Sequence, residues 1–133
     1  MWGRIDGLRV FELGTPGEMR ERLNRLVLAG RKTATAGLLG GDYQAEDEAV
    51  EHVGEQLVLV DNDAGAVTRV EVTAVDVVPF DAVTWEFADA EGEAFVSLED
   101  WRDGHRRFWT AAGADIDDST MVVCLRFRVI EDS

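Results

Sequence analysis

Lys32 is the only lysine in the chain, and the other twelve of its thirteen basic residues are arginines. An amine held partly out of water can give up its proton and serve as a base, whereas a guanidinium stays charged. A site that needs a base must therefore keep its lysine. Lys32 stands in Gly30-Arg31-Lys32-Thr33-Ala34-Thr35, beside two hydroxyls. A threonine hydroxyl is a weak nucleophile until a neighbouring base takes its proton. A plainer reading stays open, with Lys32 as a solvated cation favoured at a helix end and Thr33 and Thr35 as ordinary strand threonines.

The other reactive side chains are less pointed. Cys124 has no second thiol to pair with and lies in the apolar run from Met121 to Leu125, so it reads as a small core hydrophobe. His52 and His105 lack partners at metal-ligand spacing, and neither a metal nor another cofactor is expected. Glu91 and Glu93 fall in an acidic, glycine-broken stretch, where most carboxylates are merely solvated. Arg102 could reach a carboxylate or a phosphate. His105 lies on an apolar helical stripe, which makes it by default a core or boundary histidine.

These groups need elements to hold them. Thr15-Pro16-Gly17-Glu18 has the form of a helix start, with Thr15 as cap, Pro16 in the first position and Glu18 closing a capping box. Met19, Leu23, Leu26 and Val27 keep helical spacing and Gly30 supplies the stop, so a helix over about 16–29 delivers the chain into Lys32. Residues 33–39 alternate as a strand. Alternation would put Thr33 and Thr35 on one face and Lys32 and Ala34 on the other, so Lys32 meets Thr35 only through a bend or bulge.

Residues 40–55 are rich in carboxylates and read as a solvated loop, with a mobile flap as the alternative. Residues 56–60 and 66–78 form a hairpin around Asp61-Asn62-Asp63-Ala64-Gly65, and a change of phase between Val72 and Val75 predicts a bulge. Asp81 is placed to cap a short helix through Trp85 and Phe87. Ser97 opens a second helix carrying Leu98, Trp101, His105, Phe108, Trp109 and Ala112 on one stripe. Met121 to Ile130 alternates as a final strand. This order is neither a βαβ alternation nor a sandwich and implies an α+β fold around a small, mostly antiparallel or mixed barrel.

At 133 residues and 46% hydrophobic content, one domain over 1–133 is expected, without disulfides. No run is long and apolar enough to span a membrane, and no signal-like N-terminus is seen, so a cytoplasmic protein is expected. A net charge of −14 opposes binding to long duplex nucleic acid. Arg20, Arg22, Arg106 and Arg107 read as solvated helix faces. The oligomeric state is left open.

Five segments in this order resemble an ASCH domain of the PUA-like superfamily. They are Leu26 to Thr35, Val77-Val78-Pro79-Phe80-Asp81-Ala82-Val83, Phe87 to Glu93, Ser97-Leu98-Glu99-Asp100-Trp101-Arg102 with His105 and Phe108-Trp109, and Val122 to Phe127. Without a preceding strand and glycine-rich loop, Gly-Arg-Lys-Thr is not a phosphate-binding loop. The resemblance implies a PUA-like small mixed β-barrel flanked by helices. It also implies similarity to compact bacterial members that hydrolyse the amide of N4-acylated cytidines without a metal.

On that likeness Lys32 activates Thr35, Thr35 attacks the acyl carbonyl, and Glu93, a better positional match than Glu91, manages the proton. Arg31, Thr33, Glu91, Trp101, Arg102 and His105 would bind the substrate, with Trp101 as an aromatic wall for a nucleobase. The partner would be a modified nucleoside or a short RNA. A non-catalytic RNA-binding module, with Arg31, Lys32, Arg102, Arg106 and Arg107 along a phosphate track, and a ribonuclease are the alternatives. The family pattern carries a glycine and an acidic-basic pair before the serine. Here Ala94-Phe95-Val96 stand there, which places an apolar side chain beside the site.

Overall fold

The computed structural model describes residues 1–130. Strands β1 (Arg4–Ile5) and β2 (Leu8–Phe11) precede helix α1 (Glu18–Leu28) and strand β3 (Ala34–Leu38). After a loop come β4 (Gln56–Val60), the long β5 (Ala66–Pro79), helices α2 (Trp85–Ala90) and α3 (Leu98–Ala111), and β6 (Met121–Ile130).

The ladders run in the order β1-β2-β4-β5-β6-β3, antiparallel except for the parallel pair β2/β4. The fold is thus α+β with a mixed six-stranded sheet. The closed barrel implied by the resemblance is not formed among the described strands, whose order ends at β1 and β3. The reason lies between β2 and β3. Phe11 on one strand and Thr35, Ala36 and Gly37 on the other border a common cleft of about 510 Å³, which separates the strands where a barrel would pair them.

Strand alternation divides the core. Val123, Leu125 and Phe127 of β6 point to one side, with Phe11, Leu23, Val27, Leu57 and Val70. Val122 and Cys124 point to the other, with Ala34, Phe80, Phe87, Trp101 and Trp109. The expected β5 bulge is found, as a register shift against β6 between Val72 and Ala74.

Two expected helix caps are replaced. Thr15 does not cap α1. Gly17, at φ 116°, precedes the helix, and its N–H donates to Asn62 Oδ1 in the β4–β5 turn at 2.8 Å. Thr84, not Asp81, caps α2, its hydroxyl accepting from the Phe87 N–H at 3.2 Å. Ser97 caps α3 as expected.

The 40–55 loop is not simply solvated, because Tyr43, Glu48 and Glu51 are buried. Glu48 accepts from Arg4 and from the Trp2 N–H, and Arg9 grips Glu55 through two hydrogen bonds, which tie the loop to β1 and β2. Arg20 is buried as well, donating to the carbonyls of Leu13 and Gly14 at 3.1 Å each. Among the described residues, no helix is long and apolar enough to cross a membrane.

Candidate functional site

Helix α1 ends as the sequence indicates. Gly30, at φ 76°, donates to the Val27 carbonyl, and the Arg31 and Lys32 N–H groups both reach the Leu26 carbonyl. This tight stop turns Lys32 inward before β3 begins at Ala34, which is the break in alternation that Lys32 and Thr35 require. Both side chains border one cavity of about 210 Å³, while Ala34 is buried in the core and Thr33 is exposed.

The acidic loop reaches the same place through a glycine. Gly92 adopts φ 67°, and a Cβ there would sit 2.1 Å from the Arg31 carbonyl oxygen, so no other residue lets the loop lie so close against Arg31-Lys32. The Thr33 N–H donates to the Ala90 carbonyl at 2.9 Å and fixes the crossing. Glu91 and Glu93 consequently flank the lysine. Lys32 Nζ is 2.9 Å from Glu93 Oε2, 3.9 Å from Glu91 Oε1 and 3.4 Å from the Glu91 carbonyl oxygen.

Glu91 is the hub of the site. Only 1% exposed, it faces Lys32, lies 3.1 Å from His105 Nε2, and accepts from the Trp101 indole N–H. Burial pushes its carboxyl up, but Lys32 first, then His105 and Trp101, outweigh that cost and hold it below the ordinary carboxylate range. His105 stacks on Trp101 at 4.1 Å, and its Nδ1 faces the Trp101 carbonyl at 3.0 Å. Both ring nitrogens thus meet oxygen acceptors, and the imidazole is fixed in place.

The structure brings together Lys32, Thr35, Glu91, Glu93 and His105, all of which border the inner cavity. It does not bring in Arg31, whose side chain is exposed, or Thr33, whose hydroxyl donates to Ala90. Trp101 is not an aromatic wall. It is fully buried between Phe80 and His105, so no base can stack on it, and its contribution is the N–H that orients Glu91. Arg102 turns away to the Asp81 carbonyl at 2.9 Å. The residues of the expected phosphate track point to different surroundings: Lys32 is buried and Arg106 pairs with Asp103.

Opposite the polar cluster the inner cavity is apolar, formed by Leu13, Met19, Leu23, Phe95, Phe108 and Trp109. Phe95, from the segment that departs from the family pattern, reaches the cavity as anticipated and packs 5.5 Å from the His105 ring. Leu13, Gly14, Thr35, Ala36, Phe108 and Trp109 border both this cavity and the cleft between β2 and β3. The two adjoin as chambers of one recess, named here inner on the Lys32 side and outer on the β2 side, and Thr35 borders both. Glu51, which borders the outer chamber, escapes sequence reasoning because a glutamate in an acidic loop carries no signal of burial.

The model of the ASCH domain matches residues 10–131. Among curated proteins, none matches the sequence. Two solved structures are similar over most of their length. Protein EF3133 from Enterococcus faecalis V583, described with the family model DUF984, is 30% identical with a TM-score of 0.80, covering 91% of this chain and 75% of that one. An ASCH domain from Lactobacillus crispatus JV V101 is 25% identical with a TM-score of 0.77, covering 90% of this chain and 77% of that one.

Proposed function

This chain belongs to the ASCH domain family, and from that premise we propose that it is an amidohydrolase acting on an N4-acylated cytidine-like nucleoside through Lys32, Thr35 and Glu93. One observation carries the reading. Thr35 borders both chambers, so an amide whose acyl half lies in the inner chamber and whose amine half lies in the outer one presents its carbonyl carbon at Thr35.

The residues then divide the work. Lys32 passes a proton to Glu93, 2.9 Å away, and takes the proton of the Thr35 hydroxyl. Thr35 Oγ1 forms a bond to the acyl carbon. As the intermediate collapses, the C–N bond breaks, and Glu93 returns its proton to the departing amine nitrogen. A water molecule then adds to the threonyl ester, releasing the carboxylic acid and restoring the hydroxyl. Glu91, locked by His105 and Trp101, keeps Lys32 in place throughout and is a positioning residue.

Acid-quenched mass spectrometry during turnover of N4-acetylcytidine tests this course. The protein should gain the mass of one acetyl group, on Thr35, and a Thr35→Val variant should gain none. Turnover that persists in Thr35→Val would refute the covalent step.

A further inference from the structure

Resting on the hydrolase reading, we infer that His105 is a further positioning residue: held as an imidazolium, it takes up the charge of Glu91 and leaves Lys32 free to part with its proton.

The charge of the ring follows from its partners. Nε2 lies 3.1 Å from Glu91 Oε2, and Nδ1 lies 3.0 Å from the Trp101 carbonyl oxygen. A backbone carbonyl only accepts, and so does an ionised carboxylate, so each ring nitrogen must carry a hydrogen. Glu91 is ionised. Burial opposes its charge, but Lys32 foremost holds the carboxyl below its ordinary range, and the Trp101 indole N–H donates to it as well. The aromatic surroundings suit a cation. The imidazole stacks on Trp101 at 4.1 Å and meets Trp109 at 5.1 Å and Phe95 at 5.5 Å, and the face of an indole attracts positive charge.

Buried Glu91 thus has a basic group on either side, Lys32 from the corner between α1 and β3 and His105 from α3. The other titratable side chains at this spot are Glu93, 2.9 Å from Lys32, and the Cys124 thiol of β6, whose proton is retained by burial and by Glu91. With Lys32 as its sole cationic partner, Glu91 would hold the ammonium form, because a neutral lysine would strand a buried carboxylate. With His105 charged, Glu91 keeps a partner while Lys32 hands its proton to Glu93. That transfer leaves an amine beside a carboxylic acid and an ion pair beside them, with no stranded charge.

A single lysine makes the test direct. In the full chain labelled with ¹³C at lysine Cε, one signal follows the Lys32 amine as pH changes. His105→Gln keeps a donor for Glu91 but no charge, so the midpoint of that titration should rise by about one pH unit or more, the effect of removing a neighbouring like charge. The double variant of Glu91→Gln with His105→Gln should bring the midpoint back down, since the carboxylate that His105 balances is gone. In ¹⁵N spectra of the wild type at pH 7, both His105 ring nitrogens should carry hydrogen. The kcat/KM of His105→Gln for N4-acetylcytidine should lie about tenfold below wild type at pH 7 and approach it as pH rises.

A neutral His105 ring in the wild type, a Lys32 midpoint that stays or falls in His105→Gln, or no return in the double variant would each overturn the assignment. So would a kcat/KM lowered equally at every pH, the mark of a purely structural role. Should His105→Gln fail to fold, Glu91→Gln reads the same pair from the other side: its His105 ring should lose one hydrogen at pH 7, and a ring still doubly protonated overturns the pairing. The spectra require no turnover. A wild type with the charged ring and the lysine shift that releases no cytidine refutes the hydrolase reading and leaves the ion pair standing, and turnover with a neutral ring does the reverse.

Discussion

The amine of Lys32 and the carboxylate of Glu93, 61 residues apart in sequence, meet at 2.9 Å inside a recess that leaves the lysine side chain 1% exposed. Their meeting depends on two glycines with positive φ. Gly30 ends α1 so that Lys32 turns inward, and Gly92 lets the acidic loop lie on the Arg31 carbonyl.

Gly92→Ala should therefore be among the most damaging small substitutions. The new methyl meets backbone at 2.1 Å and the residue must hold φ 67°. Thermal or denaturant unfolding should show a loss of about 2–4 kcal/mol, the scale of a strained position combined with a clash. Activity should fall further than stability, because Glu91 and Glu93 move away from Lys32. A variant as stable and active as wild type would contradict the crossing described here.

The buried acid sets a pH dependence. The Glu91 carboxyl is held below its ordinary value of 4.5 in the folded protein. Its contribution to stability is thus complete above about 4.5 and is lost as pH falls below that value through the folded one. Melting temperatures measured from pH 7 to pH 3 should decline in that acid range, and Glu91→Gln should flatten the part of the decline due to this group. An identical profile in the variant would remove Glu91 as a paired carboxylate.

Phe95 should set the room for the acyl group. Its ring borders the inner chamber, and a Cβ on Gly104 would come within 3.2 Å of it. Phe95→Ala should raise kcat/KM for N4-benzoylcytidine relative to N4-acetylcytidine, by roughly tenfold for the volume released. Gly104→Ala should shift the ratio the other way. Unchanged ratios in both variants would place the acyl group elsewhere.

Cys124 is a control on the core. Burial pushes its thiol up to about 12, and the facing carboxylates of Glu91 and Asp76 add to this. Iodoacetamide at pH 8 should leave the native protein unmodified and label it promptly in denaturant. Rapid native labelling would show that the β3–β6 region opens.

Much of the scaffold was legible because its signals are local. Gly30 as a stop, Ser97 as a cap and the change of phase in β5 each depend on residues within a few positions. The missed features depend on distant partners. Asn62 takes over the start of α1 from Thr15 across 45 residues, and nothing near either residue announces it. The helical stripe of α3 placed Trp101 and His105 on the apolar face correctly. Periodicity names a face and not a neighbour, so it could not show that Phe80 and His105 cover both sides of the indole. For the same reason a carboxylate count over 40–55 predicted solvent where Glu48 and Glu51 are buried.

The central claim is that Lys32 and Thr35 cleave an amide whose carbonyl lies between the two chambers. Its most direct test is the release of cytidine and acetate from N4-acetylcytidine by purified protein, compared with Lys32→Ala and Thr35→Val. The wild type should turn over, and each variant should lose at least about a hundredfold, the lower range for removing a positioned base or nucleophile. No release by the wild type, or undiminished release by Lys32→Ala, would contradict the account.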